Sequence, residues 1–211
     1  SESSFNLPLY WFLHASRFGR YSGSGATALD EDLKSIKESE TLHDAVIRLL
    51  DKFDHTKQIE AEEFMDDYSN ARFGRFLLYL LVYQNGAKDW DEKGFRLGFD
   101  GQQILKDFQP QWHHIFPRKF LGNDYAEDQV NALANIAVIG PTINIKISAK
   151  NPMDYVKKYQ ITKDKLEQQF VTEEIAVLPK EEFPKFLDER AQRLATEANS
   201  YLSKLGKDIE I

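Results

Sequence analysis

Apolar and polar residues alternate at helical spacing over most of this chain. LPLYWFLHASRFG (7–19) repeats apolar positions every three to four residues and stops at a glycine. After the small-residue loop SGSG, ALDEDLKSIKES (28–39) predicts a second helix. TLHDAVIRLLDKF (41–53) opens on Thr41, a good N-cap, and gathers Leu42, Val46, Leu49, Leu50 and Phe53 on one face. IEAEEFMDDY (59–68) predicts another helix. ARFGRFLLYLLVYQ (71–84) predicts an apolar helix closed by Asn85-Gly86, expected at the buried centre of a bundle. GAKDWDEKGFRLGFDG (86–101) is turn-rich and marks a loop or boundary. In NALANIAVIGPTINIKI (131–147) the pattern changes: branched residues predict a short strand over Ile136–Ile139, and Gly140-Pro141 a turn before a helix starting near Thr142. MDYVKKYQ, TKDKLEQQF and a long segment from about Lys180 to Leu205 return to helix.

These elements predict a mainly α protein, and 211 residues suffice for one large or two small domains. No apolar run reaches membrane-spanning length, and no secretory signal opens the chain, so a cytoplasmic protein is expected. The missing initiator Met suggests a piece of a longer protein. With no cysteine, disulfides, thiol nucleophiles and thiolate zinc sites are excluded. The net charge of −7 argues against a nucleic-acid partner only as a sum. Residues 102–160 hold seven Lys or Arg against five acids, a local +2 that leaves −9 for the remainder.

That basic segment contains QWHHIFPRKFL (111–121), which places two of the five histidines side by side. On a strand, His113 and His114 point to opposite faces and cannot share one structural job. A one-metal phosphodiesterase needs a neutral imidazole to take a proton from water, ligands for a divalent cation, and cations for the flanking phosphates. Two adjacent strand histidines divide the first two tasks. RYSGSGAT (20–27) lacks the ending of a P-loop and is a helix-helix linker, with Arg17 and Arg20 as candidate nucleic-acid or interdomain contacts. His14, His43 and His55 carry no assigned chemistry, and Trp11, Trp90 and Trp112 are expected in the core, with Trp112 placed to buttress the histidines.

His113-His114, then Asn135, then Asn144 nine residues later, resembles the HNH, or ββα-metal, nuclease motif. HHIFPRKFL followed by NALANIAVIGPTINIKISAKNPMDYV resembles more closely the DUF1524-type HNH domain at the C-terminus of GmrSD-like (DUF262) restriction and phage-defence proteins. LYWFLHASRFGRYSGSGATALDEDLKSIKES resembles the helical region before that domain, so the likeness runs to about Tyr159. It implies a helical bundle with an embedded hairpin-helix element: a bundle region over 1–100, the nuclease element over 101–160, and C-terminal helices over 161–211 packing on the bundle. It makes His113 and Asn144 the metal ligands and His114 the general base. Asn135 becomes the residue that pins the loop and helps orient that base. Arg118, Lys119, Lys146 and Lys150 are candidate phosphate contacts.

Many HNH nucleases have His at the last motif position, sometimes with another His one turn later, where this chain has Asn144 and Ser148. An amide oxygen is a hard ligand, which favours Mg²⁺ or Mn²⁺, whereas His113 pulls toward softer Zn²⁺ or Ni²⁺. The resemblance implies a metal-dependent DNA endonuclease that nicks one strand, with a homodimer as one route to double-strand cuts. It further implies modified or phage DNA as substrate and an N-terminal NTP-using sensor domain as partner. The alternative is the same fold kept as a silent DNA- or partner-binding module.

Overall fold

The computed structural model describes residues 2–94, 96–97, 110–207 and 209. Among them the chain is mostly helical, with a single two-stranded antiparallel sheet. It forms two compact units: residues 1–59 with 198–211, and residues 60–197. Parts of the expected 86–101 loop and residues 101–109 of the expected nuclease element lie outside the described residues. No described helix is long and apolar enough to cross a membrane.

The first unit contains α1 (Glu2–Arg17), α2 (Gly25–Lys37) and α3 (Leu42–Leu50), together with the end of a long C-terminal helix. Thr41 caps α3 as its sequence position predicts, its Oγ1 accepting from Asp44 N at 3.0 Å. Val46, Leu49 and Leu50 are buried, while Leu42 at the helix start is 49% exposed. The RYSGSGAT linker is tied back on itself. Asp32, buried on α2, accepts from Arg20 at 3.0 Å, Lys52 at 2.5 Å and the Tyr21 hydroxyl at 2.7 Å. Arg17 donates to the carbonyls of Lys57 and Gln58. Both arginines are thus engaged within this unit.

In the second unit, 59–68 departs from expectation: only Ala61–Phe64 form a short 3-10 turn. The following residues pair with a distant segment instead of continuing a helix. Asp66 O accepts from Leu133 N at 3.0 Å, and Asp67 bridges Ala132. Asp67 Oδ1 also accepts from Ser69 N at 2.8 Å, the side-chain turn that competes with helix in Asp-rich stretches. α4 (Arg72–Gln84) buries one face, Leu77, Leu78, Leu81 and Val82, and leaves Arg72 and Phe76 exposed. It is an amphipathic helix and not the wholly buried centre of a bundle.

Next come β1 (Gln111–His114), α5 (Arg118–Leu121), α6 (Glu127–Val130), a 3-10 turn at Leu133–Asn135, β2 (Ile136–Ile139) and α7 (Pro141–Ile147). β2 falls on the residues the sequence predicts. It pairs antiparallel with β1 in the register His113↔Ala137 and His114↔Ile136. All four β2 residues are buried, as an unbroken apolar run requires. α8 (Pro152–Lys158), α9 (Lys163–Glu167) and α10 (Phe183–Leu205) follow, with Asn151 and Thr162 as side-chain N-caps for the first two.

Candidate metal and general-base site

The hairpin register decides where the two histidines go. Ile115 N donates to Asn135 O at 2.8 Å, so hydrogen-bonded and non-bonded pairs alternate along the ladder from that point. His113 turns inward, 3% exposed, against Trp90 and Tyr155, which meet its ring edge-on at 5.8 and 5.7 Å. Trp90, a core residue, thus backs His113. α7 crosses the hairpin and brings Asn144 Oδ1 to 2.9 Å from His113 Nδ1. His113 Nε2 is enclosed without a hydrogen-bond partner. Burial pushes the His113 pKa down to about 4, against the Asn144 bond, so the ring is neutral at physiological pH.

His114 faces the other way and is half-buried. Its Nε2 lies 3.1 Å from Asn131 Oδ1, and Tyr68 packs edge-on to it at 5.5 Å. Burial is again the first cause that lowers its pKa, ahead of the opposing Asn131 bond. Asn131 Nδ2 in turn donates to Asp67 Oδ2 at 3.1 Å.

Asn135 is fully buried and spans the loop between the strands. Its Oδ1 accepts from Phe116 N at 2.9 Å, and its Nδ2 donates to Phe116 O at 3.1 Å and Val130 O at 2.8 Å. These bonds pin the loop, whereas the side-chain bond to His114 comes from Asn131.

The start of α7 is fixed from outside the motif. Asp89 Oδ1 accepts from Gly140 N and Trp90 N, both at 2.8 Å, and burial raises its pKa. A side chain at Gly140 would meet the same carboxylate, so glycine is required here by close approach. Among the four candidate phosphate contacts, Lys119 and Lys146 are exposed, and Arg118 pairs with Glu127 at 2.9 Å on the surface. Lys150 folds back, its Nζ donating to Lys146 O at 2.7 Å and Ile147 O at 3.3 Å, where a cation complements the end of α7.

His113 and Asn144 are the two side chains here that could hold a divalent cation. An amide oxygen carries no hydrogen, so the hydrogen of the 2.9 Å His113–Asn144 contact belongs to Nδ1; a cation held there would take its place, and the spacing is close to the roughly 3.0 Å between adjacent donors around an octahedral ion with bonds of about 2.1 Å. No group of three or more His, Cys, Asp or Glu side chains gathers among the described residues. Two neutral protein ligands would thus leave several positions to water and phosphate oxygens, as Mg²⁺ prefers.

Asn131, Asp67, Asp89 and Trp90 escape a reading of the motif alone. Only Asn131 has a local signal, standing four residues before Asn135 in NALAN. No protein-family model, no curated protein and no solved structure matches the chain.

Proposed function

We propose that this chain is a metal-dependent DNA endonuclease of the ββα-metal, HNH type, the cutting part of a prokaryotic restriction or anti-phage protein. The observation that carries this reading is the meeting of His113 and Asn144. They stand 31 residues apart in the chain, yet their donor atoms lie 2.9 Å apart, with His114 turned the opposite way on the same strand. His113 and Asn144 would hold the cation. When bound, it would supply a Lewis acid for the scissile phosphate and its leaving oxygen. His114, neutral and half-buried, takes the proton of the attacking water as the water oxygen bonds to phosphorus and the P–O3′ bond breaks. Asn135 keeps the loop between the strands closed. Lys119 and Lys146 are free to meet DNA phosphates, and Arg118 joins them by exchanging Glu127 for phosphate, which makes binding salt-dependent.

The test is conversion of supercoiled plasmid to nicked circle with Mg²⁺ or Mn²⁺, and with EDTA. Nicking that needs the metal and disappears in His114→Ala, with DNA binding kept, is the expected result. Equal nicking by both proteins would refute the role of His114. A second reading, a silent DNA- or partner-binding module, rests on the enclosure of His113 behind Trp90 and Tyr155. It gains if the chain shifts DNA in a gel but neither metal supports nicking.

A further inference from the structure

Asn131 is an amide with a donor end and an acceptor end, and its two neighbours determine which end faces which. On one side is the Asp67 carboxylate. Its Oδ1 accepts from Ser69 N at 2.8 Å, and the Ser69 bonds are the first cause holding this carboxyl below its ordinary value. It is therefore ionised at neutral pH and can only accept. The amide nitrogen of Asn131 must face it, as it does at 3.1 Å. Reversing the amide would set its carbonyl oxygen against a carboxylate. The backbone holds both residues in place: Tyr68 N donates to Asn131 O at 2.9 Å, and Asp67 bridges Ala132.

The carbonyl end of Asn131 is thereby turned to His114 Nε2, 3.1 Å away. An amide oxygen carries no hydrogen, so the hydrogen of this contact belongs to Nε2. A neutral imidazole has one N–H, which leaves the lone pair on Nδ1.

We infer that Asp67, acting through Asn131, holds His114 as its Nε2–H tautomer and so presents Nδ1 as the nitrogen that takes the water proton. Asp67 and Asn131 are positioning residues, remote from the reacting atoms. The consequence for cutting rests on the nuclease reading. The tautomer does not, and can be measured without any substrate.

The experiment is long-range ¹H–¹⁵N correlation of the histidine rings in the full chain at neutral pH, with His114 assigned by its loss in His114→Gln. The expected spectrum has a pyrrole-type nitrogen at Nε2 and a pyridine-type nitrogen at Nδ1. In Asp67→Ala the amide is free to turn, and the two nitrogens should move toward intermediate shifts in a chain whose circular dichroism keeps the native form. In the same variant kcat for nicking should fall about 10- to 100-fold with KM kept, the scale of lost outer partners of a site histidine. The exchange variant Asp67→Asn with Asn131→Asp restores the direction of both bonds: a carboxylate now accepts from Nε2–H and from the new amide at position 67. It should recover the Nε2–H spectrum.

A wild-type spectrum with the hydrogen on Nδ1 overturns the inference. So does an Asp67→Ala protein that keeps a pure Nε2–H ring. The Nε2–H spectrum in a chain that never nicks upholds the inference about His114 and removes the nuclease reading. Nicking by a chain with the Nδ1–H ring does the reverse.

Discussion

Arg190 offers the sharpest test of how the hairpin is held. It lies on α10 and is 3% exposed, yet no carboxylate among the described residues meets it. Its guanidinium donates to four carbonyl oxygens: Leu133 at 3.3 Å, Ala134 at 2.6 Å, Ile136 at 2.8 Å and Gln169 at 3.0 Å. Leu133 O also accepts from Ile136 N, so the acceptors most dependent on Arg190 are Ala134, Ile136 and Gln169. Burial first, then Arg193, pushes the guanidinium pKa down to about 9, which leaves it charged at neutral pH. Arg190→Met keeps much of the volume and removes every donor. Three buried carbonyls left without partners would cost about 1–3 kcal/mol each. Relief from burying an unneutralised cation returns several kcal/mol of that sum. The expected net loss is about 3 kcal/mol, or a fall in Tm of roughly 6–12 °C for a chain of this length. Arg190→Lys keeps the charge but cannot fork to four oxygens, and should lose about half as much. Urea titration and thermal melts followed by circular dichroism measure both. Arg190→Met within about 1 kcal/mol of the wild type, or more stable than it, would refute the view that these carbonyls depend on the guanidinium.

Two further outcomes test other parts of the framework. In Gly140→Ala the new Cβ would clash with Asp89 Oδ2, which should cost about 2–4 kcal/mol by displacing a buried carboxylate that accepts two hydrogen bonds. Urea unfolding that shows a loss under about 0.5 kcal/mol would deny the close approach. His14 is buried with both ring nitrogens unpartnered, and burial first, then His55 and Arg17, lowers its pKa from the ordinary 6.5 to about 4. The unfolded chain therefore binds the extra proton between those values. Its stability contribution is full above pH 6.5 and declines as pH falls toward 4, by on the order of 2–3 kcal/mol. His14→Leu should flatten that decline in melts taken from pH 7 to 4, and parallel curves for the two proteins would contradict it.

The elements that the sequence discloses are those specified by neighbours along the chain. Thr41 caps α3 through a residue three positions on, and the apolar run of β2 needs no partner to be recognised. His113, His114, Asn135 and Asn144 were singled out on a resemblance of their spacing, and the structure brings His113 and Asn144 together. The segment 59–68 misleads because its helix-forming residues are overridden by pairing with 131–133, more than sixty positions away. Asp67, Asp89, Gln169 and Arg190 were unreadable for the same reason, since each meets a group far along the chain, the Asn131 side chain for Asp67 and backbone groups for the other three. Arg118 and Lys150 show the converse limit. Sequence marks them as cations but cannot say that one is paired with Glu127 and the other spent on the end of α7.

A hairpin of two four-residue strands has little stability of its own, so the site must be held from outside the motif. One edge of β2 pairs with β1. On the other edge Gln169 answers Val138, accepting from its N at 3.0 Å and donating to its O at 2.6 Å, while Arg190 answers Ile136 O. Side chains from beyond the hairpin thus take the place of a third strand, and a strand edge that would otherwise be open is closed. The Tyr155 hydroxyl bonds Ile115 O at 2.9 Å next to the histidines, and Asp89 sets the start of α7. The His113–Asn144 contact is consequently an outcome of this frame. Loss of nicking in an Arg190 or Gly140 variant would say nothing about chemistry, because both residues act by holding the strand and helix in place. His114→Ala and Asp67→Ala are the informative changes, since neither touches a bond that closes the hairpin.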